Sequence, residues 1–230
     1  MYRFLWCLVW PFFKLFYPHK VIGKQNMLYN QPTIIVSNHY SNMDILVVGL
    51  SIRRKMHFVG KKELFKGKFV TWFMKKMGVI KLDRENVDLE SIKNCLKVLK
   101  NNELLTIFPE GTRNKVDEQL KNIKNGVCML AIRGKAKIIP VNILNSAKVF
   151  KRNRVVIGEP FELSNFYGQK LTGEVLSEAG QIVFDKMKDL EVYNKNYIKL
   201  KNQAKQTKKN PQQHQCADIE KESLAEQDEQ

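Results

Sequence analysis

The feature of this sequence that most constrains its fold is an alternation of short apolar runs with helical stretches. The apolar runs are rich in β-branched residues, as strands usually are, and they cover residues 33–37, 56–59, 104–108, 137–143 and 154–157. Helical stretches cover residues 89–99, 126–133 and about 173–190. Alternation of this kind predicts an α/β domain, with a central layer of mostly β-sheet flanked by helices.

The two ends of the chain differ in composition from this central part. Beyond about Leu200, Lys, Gln, Asn and Glu predominate and apolar residues are few, which predicts a disordered tail. We therefore expect three regions. They are a membrane-interface helical segment over residues 1–20, an α/β domain over residues 21–195, and a polar, disordered tail over residues 196–230.

The N-terminal segment is rich in aromatic residues. Its uninterrupted apolar run covers residues 4–13 and is too short for a transmembrane helix, which needs about 20 residues. No small-residue cleavage site of a signal peptide follows it. Aromatic side chains flanked by Arg3, Lys14 and Lys20 are typical of a helix at the lipid headgroup boundary. A buried terminal core helix is the alternative interpretation.

The formal net charge is +16, which indicates an anionic partner. A lipid headgroup surface, a nucleic acid and an acidic carrier protein all fit this charge. The sequence contains no RNP, zinc-finger or helix-turn-helix pattern, so we do not expect nucleic-acid binding. The four cysteines are far apart and form no metal-binding pattern. We expect reduced thiols in a cytosolic compartment, no metal site and no catalytic cysteine.

The most informative stretch is NHYSNMD, residues 38–44, which directly follows the first apolar run. Neither a continuous helix nor a strand brings His39 close to Asp44 at this spacing. The two side chains meet only if residues 40–42 form a turn and Asp44 opens the next helix. A carboxylate on one imidazole nitrogen would then let the other nitrogen take a proton from an alcohol. A polar loop with a capping histidine is the alternative.

Three further stretches follow or form predicted strands. In FPEGTR, residues 108–113, Gly111 lets a ligand approach the backbone closely, and the planar fork of Arg113 suits a phosphate. An ordinary turn with a surface arginine is the alternative. GKKELF, residues 60–65, follows the apolar run at residues 56–59 and carries a further cation. IPV, residues 139–141, reads as an edge strand or a strand end, and we assign it no chemistry.

Together these four stretches resemble the lysophosphatidic acid acyltransferase family, within the wider glycerolipid acyltransferases. The order and separation of the stretches match the family as well as their residues do. The stretch VIGKQN, residues 21–26, is similar to the family's usual lead-in, although Gln25 stands where an acidic residue is more frequent. The resemblance covers residues 21–160, and the aromatic N-terminus is also similar to the family's membrane-associated helices.

The resemblance implies transfer of a fatty acyl group from acyl-CoA or acyl carrier protein to the sn-2 hydroxyl of lysophosphatidic acid, without an acyl-enzyme. The product is phosphatidic acid, for phospholipid synthesis. His39 is implied as the catalytic base and Asp44 as the group that orients it. Because the thioester is already activated, no metal or organic cofactor is implied.

The resemblance further implies that Lys61 and Arg113 hold the acceptor phosphate and that Glu110 and Gly111 shape its pocket. Arg84 is a further candidate for phosphate binding. The implied setting is an anionic membrane surface at the cytoplasmic face of the cell inner membrane, with the protein monotopic or peripheral.

Two alternatives of function remain open at this point. One is the same chemistry on another acceptor, such as a different lysolipid or glycerol 3-phosphate. The other is a non-enzymatic basic membrane-binding protein, which accounts for the charge and the aromatic residues but not for the ordered motifs.

Overall fold

A computed structural model of the chain describes residues 10–28, 30–52, 54–83, 89–113, 123–144, 148–151 and 153–209. The strands are β1 (His19–Ile22), β2 (Thr33–Ser37), β3 (Met56–Lys61), β4 (Val79–Leu82), β5 (Leu104–Ile107), β6 (Lys137–Ile143) and β7 (Asn153–Ile157). They form one sheet in the order β1-β7-β6-β2-β5-β3-β4.

Helical residues 10–16 belong to α1. The further helices are α2 (Asp44–Ser51), α3 (Lys68–Lys76), α4 (Leu89–Lys100), α5 (Asn125–Gly134) and α6 (Gly173–Lys209). Single 3₁₀ turns occur at Lys24–Asn26, Lys62–Leu64 and Ser164–Phe166. None of the helices within the described ranges is both long and apolar enough to cross a membrane.

The direction of the strands decides which loops are neighbours. β2 pairs in parallel with both β5 and β6, and β3 pairs in parallel with both β5 and β4. β7 runs antiparallel to β6, and β1 runs parallel to β7. The carboxyl ends of β2–β6 and the amino ends of β1 and β7 therefore lie along one edge of the sheet, which we call the carboxyl edge.

The core occupies both faces of the sheet because successive strand residues point to opposite sides. In β2, Ile34 and Val36 join a cluster with α4 and α5, whereas Ile35 joins a second cluster with α2 and with Phe13 of α1. All five residues of β2 are buried. Burial on both faces explains why this strand reads as a continuous apolar run and not as an alternating one.

The predicted α/β class is confirmed, including the central sheet and the helices that flank it. Strands β1 and β4 and helix α3 were not predicted. The interpretation of residues 139–141 as an edge strand or strand end is wrong, because β6 lies inside the sheet between β7 and β2. Proline has no backbone N–H to donate within a sheet. Pro140 is tolerated because it pairs with Val36 of β2 but precedes Val141, the first residue of β6 that is in register with β7.

The contacts of the chain divide it into two units, Met1–Glu191 and Val192–Gln230. Helix α6 continues to Lys209, so residues 196–209 are helical where the sequence predicted a disordered tail. This stretch contains many Lys and Gln residues, which are good helix formers as well as frequent components of disordered segments. The remainder of the predicted tail, residues 210–230, lies outside the described residues.

The lead-in stretch fixes β1 beside β7 through one carbonyl group. Gly23 follows β1 with a φ of 78°, and a Cβ atom at this position would lie 2.0 Å from the carbonyl oxygen of Ile157. The side-chain amide of Asn26 donates a hydrogen bond to the same oxygen, at 3.0 Å. The close approach therefore requires glycine.

We predict that Gly23→Ala lowers the free energy of unfolding by more than about 2 kcal/mol, through left-handed strain and the clash with Ile157. Urea denaturation measures this change. Gly180→Ala is the matched control, because a Cβ at this α6 position meets no atom within 4 Å. It should be neutral or stabilise the protein by up to about 1 kcal/mol. Equal effects of the two substitutions would contradict the assignment.

Candidate active site

The four motif stretches belong to neighbouring strands. His39 follows the carboxyl end of β2, Phe108 follows β5, and Lys61 ends β3. Residues 139–141 lie within β6, which is the other neighbour of β2. Because parallel strands present their carboxyl ends at the same edge, the chain collects these segments along the carboxyl edge. This is the usual location of ligand sites in open α/β sheets.

His39 and Asp44 are in contact. Nδ1 of His39 lies 3.1 Å from Oδ2 of Asp44, and Asp44 is the first residue of α2. The side chain of His39 is 15% exposed, whereas that of Asp44 is fully buried. The predicted geometry, with a turn after His39 and a helix that opens at Asp44, is confirmed.

The carboxylate of Asp44 holds this turn together. Its Oδ2 accepts hydrogen bonds from the backbone N–H groups of Tyr40, at 2.5 Å, and Ser41, at 2.6 Å. Its Oδ1 lies 3.2 Å from the hydroxyl of Ser41. The position at the N-terminus of a helix also favours negative charge. The turn and the histidine partner are therefore set by one side chain.

This arrangement fixes which nitrogen of His39 carries a proton in the neutral ring. An ionised carboxylate only accepts hydrogen bonds, so Nδ1 must donate to Asp44. Nε2 is then unprotonated and can accept a proton from a hydroxyl group. The pair has the chemical capacity of a general base with an orienting carboxylate.

The ring of Phe108 stacks on the face of the imidazole ring of His39. The two ring centroids lie 4.2 Å apart, with an angle of 23° between the ring planes. This contact joins the histidine motif to the FPEGTR motif across the β2–β5 pair. Sequence reasoning did not assign Phe108 a role, although its place at the end of an apolar run, as the first residue of the FPEGTR motif, is the signal that marks it.

Asn38 joins the end of β2 to the end of β6. Its amide nitrogen donates to the carbonyl oxygen of Ile143 at 2.8 Å, and its amide oxygen accepts from the N–H of Ile143 at 2.8 Å. Asn38 is 3% exposed. The paired bonds anchor the backbone directly before His39, so Asn38 is a positioning residue that the sequence analysis missed.

A further cation, which the sequence analysis missed, lies against the FPEGTR loop. Gly111 is buried and has a φ of 73°. A Cβ atom on Gly111 would lie 2.8 Å from Nζ of Lys124, and the backbone N–H of Lys124 donates to the carbonyl oxygen of Pro109 at 3.0 Å. Lys124 therefore lies over the loop, although it follows Gly111 by 13 positions in sequence.

The other predicted binding residues differ in their exposure. Glu110 is 4% exposed, whereas Arg113 and Lys61 are exposed to solvent. Lys62, the next residue after Lys61, forms an ion pair with Asp83 at 3.1 Å. Arg84 lies outside the described residues.

The cysteines that the structure describes are poor nucleophiles by position. Cys95 and Cys128 are buried, and burial raises the pKa of the Cys128 thiol to about 11. Its thiolate is therefore scarce at neutral pH. Cys7 and Cys216 lie outside the described residues. Within the described part of the chain, no group of three His, Cys, Asp or Glu side chains is arranged to hold a metal ion.

Comparison with known proteins connects this site to a family. A family model described as Acyltransferase matches residues 19–144, a range that contains all four motifs. The chain is 32% identical over 178 residues to the 1-acyl-sn-glycerol-3-phosphate acyltransferase of Bacillus subtilis, covering 75% of this chain and 87% of that protein. It is 33% identical over 184 residues to the enzyme of the same name from Saccharomyces cerevisiae, covering 74% of this chain and 58% of that protein.

A solved structure has a similar fold. The 1-acyl-sn-glycerophosphate acyltransferase PlsC of Thermotoga maritima superposes with a TM-score of 0.61 at 24% identity. The match covers 83% of this chain and 81% of that chain. At this identity the likeness concerns the fold alone.

We predict that Asn38→Asp lowers the free energy of unfolding by about 2–4 kcal/mol, because a buried carboxylate replaces the donor that faces the Ile143 carbonyl. Chemical denaturation followed by circular dichroism measures this loss. Asn101→Asp makes the same chemical change at an exposed position and should stay within about 0.5 kcal/mol of the parent. Similar values for the two variants would show that the Asn38 bridge contributes no stability.

Proposed function

The chain belongs to the acyltransferase family, and we propose that it transfers a fatty acyl group from an acyl thioester to the sn-2 hydroxyl of 1-acyl-glycerol 3-phosphate, giving phosphatidic acid. The observation that carries this proposal is the contact of His39 with Asp44 at the carboxyl edge. Both residues lie within the range that the family model matches, and the chain is similar to 1-acyl-sn-glycerol-3-phosphate acyltransferases. The acyl donor is acyl-CoA or an acylated carrier protein.

The proposed reaction begins at Nε2 of His39. This nitrogen removes the proton of the acceptor hydroxyl as the oxygen attacks the thioester carbonyl carbon. The tetrahedral intermediate then collapses, the carbon–sulfur bond breaks, and the imidazolium returns the proton to the thiolate. Asp44 stabilises the imidazolium and keeps Nδ1 protonated throughout. The products are the new ester and the free thiol, and no acyl-enzyme forms.

Basic side chains along the carboxyl edge hold the acceptor phosphate. Arg113 provides a bidentate fork and Lys61 a point charge, while Glu110 and Gly111 shape the pocket. To these assignments we add Lys124, because its ammonium group lies over Gly111. Arg84 is retained as a further candidate for phosphate binding.

Membrane attachment completes the proposal. Residues 1–20 form the membrane-interface segment, residues 21–195 the acyltransferase domain, and the protein is monotopic or peripheral on the cytoplasmic face of the inner membrane. The described part of α1 supports this assignment, because Phe12 and Leu15 are 62% and 67% exposed while Phe13 is buried. Trp6 and the other residues before 10 lie outside the described range.

We predict that His39→Ala abolishes measurable turnover, since loss of a general base typically costs about 10²–10⁴-fold in rate. Transfer of radiolabelled acyl chains from acyl-CoA to lysophosphatidic acid measures the rate, and circular dichroism checks the fold. His57→Gln is the matched control, because His57 lies near the amino end of β3, away from the carboxyl edge. Cys95→Ala and Cys128→Ala should also retain activity. An active His39→Ala enzyme together with an inactive cysteine variant would exclude direct transfer.

We predict that Arg113→Ala lowers kcat/KM for lysophosphatidic acid by at least about tenfold, because a hydrogen bond to a charged group contributes about 1.5–3 kcal/mol. Arg113→Lys should recover only part of the loss, since an ammonium lacks the bidentate fork. Lys124→Gln should lower the same kcat/KM by a smaller factor.

A comparison of two acceptors, one with and one without the phosphate, shows whether the loss in Arg113→Ala concerns phosphate binding. The rate of acyl transfer to monoacylglycerol, which lacks the phosphate, should barely change in Arg113→Ala or in Lys124→Gln. Equal loss on both acceptors would remove the assignment of Arg113 to the phosphate. A parent enzyme that prefers a phosphate-free acceptor would overturn the proposed substrate, although the acyltransferase class would stand.

A further inference from the structure

Helix α3 presents its aromatic side outward. None of its nine residues is buried, and Phe69, Trp72 and Phe73 are 75%, 44% and 38% exposed. The rings of Phe69 and Trp72 lie 6.0 Å apart. An amphipathic helix of a globular domain normally turns such residues toward the core. Here the apolar residues are left in contact with solvent.

The spacing of these residues shows that the exposure belongs to one face. Residues 69, 72 and 73 are related as i, i+3 and i+4, so they share one side of the helix. Thr71 and Met74 lie on the opposite side and are half-buried, and the Thr71 hydroxyl donates to the carbonyl oxygen of Phe65 at 3.2 Å. The side of α3 that carries Thr71 and Met74 thus faces the domain. We call the side formed by Phe69, Trp72 and Phe73 the outer face of α3.

Basic residues border the outer face. Residues 66, 68, 75 and 76 are lysines exposed to solvent, and α3 contains no acidic residue. Among residues 62–76 there are five lysines and one acidic residue, Glu63. Aromatic side chains bordered by lysine match the headgroup region of a bilayer, where rings sit at the boundary and ammonium groups meet phosphates.

The outer face begins near the candidate active site. α3 follows β3, whose last residue, Lys61, lies on the carboxyl edge. A second group of exposed apolar residues lies on the same edge, where the ring of Phe16 is 5.4 Å from that of Phe150. These two residues precede β1 and β7, so the two apolar groups lie on either side of β2 in the strand order.

We propose that the outer face of α3 docks on an anionic lipid surface, as a membrane contact additional to the N-terminal segment. Charge complementarity selects this occupant, because the lysine border attracts anionic headgroups at about 1 kcal/mol for each residue near the surface. The same border disfavours a second copy of this face, which would bring like charges together. The inference rests on the proposed function only in taking the substrate to be a lipid.

The direct test uses Trp72 as a reporter. The chain has three tryptophans, so the full-length Trp6→Phe/Trp10→Phe variant retains Trp72 alone. On vesicles with 30% phosphatidylglycerol in phosphatidylcholine, Trp72 emission should shift to the blue and be quenched by lipids brominated on the acyl chain. Pure phosphatidylcholine should give a much weaker response. Unchanged, unquenched emission with vesicle-bound protein would overturn the proposal and point to a protein or a part of this chain as the occupant.

Vesicle cosedimentation gives the second test. Phe69→Ser/Trp72→Ser should lower the partition coefficient on the anionic vesicles by at least about tenfold, as two large aromatic side chains no longer leave water. Leu89→Ser/Val192→Ser removes two exposed apolar side chains elsewhere, 63% and 49% exposed, and should change it less than twofold. Equal losses in the two variants would overturn the proposal.

An activity measurement separates this inference from the proposed function. With a short-chain lysophosphatidic acid below its critical micelle concentration, Phe69→Ser/Trp72→Ser should keep kcat/KM within about twofold of the parent. A selective loss on this dispersed acceptor would place α3 in the acceptor site and overturn the docking role. A parent protein that inserts Trp72 into vesicles but transfers no acyl group would end the proposed function and leave the docking surface in place.

Discussion

Asp44 carries its carboxylate at a position without solvent exposure, and a buried carboxylate must be matched by hydrogen-bond donors. The donors are two backbone N–H groups, a serine hydroxyl and the imidazole of His39. Meeting this requirement forces the chain to turn directly after β2 and to begin α2 at Asp44. The same requirement fixes the ring of His39. Local structure and proposed chemistry thus follow from one desolvated charge.

The sheet fixes the position of residues 38–44 relative to the neighbouring strands, which Asp44 alone cannot do. Two contacts tie this segment to other strands: the hydrogen bonds of Asn38 to β6 and the ring contact of His39 with Phe108, which follows β5. β2 itself lies between β6 and β5 in the sheet. Parallel strands place their carboxyl ends together, so segments that are far apart in sequence converge at one edge. No local sequence signal has to specify the contacts between their side chains. Lys124 reaches Gly111 by another route, because both residues lie in the connection between β5 and α5 and the N–H of Lys124 donates to the carbonyl oxygen of Pro109.

Much of the sheet and of the candidate site could be predicted from the sequence, and the elements and residues that were not predicted were missed for physical reasons. β2 and β6 were placed at their observed bounds because both are buried on both faces and stand out as continuous apolar runs. Strands β1 and β4 lie at the ends of the sheet, are short and only partly buried, so their patterns are weak. Helix α3 was missed because it is short, with nine residues of which none is buried, and its pattern alone does not say whether its apolar side meets the core or the solvent. The Asn38 bridge and the position of Lys124 depend on tertiary contacts over 105 and 13 residues of sequence.

The central claim is that Asp44 holds the Nδ1 proton of His39 and leaves Nε2 free to accept a proton. Nitrogen-15 magnetic resonance of histidine-labelled protein measures this directly, with the His39 signals identified by their loss in His39→Gln. At a pH where the ring is neutral, the account predicts a protonated Nδ1 and an unprotonated Nε2, and loss of this preference in Asp44→Asn. A neutral ring with its proton on Nε2 in the parent protein would contradict the account, because that nitrogen could not act as the base.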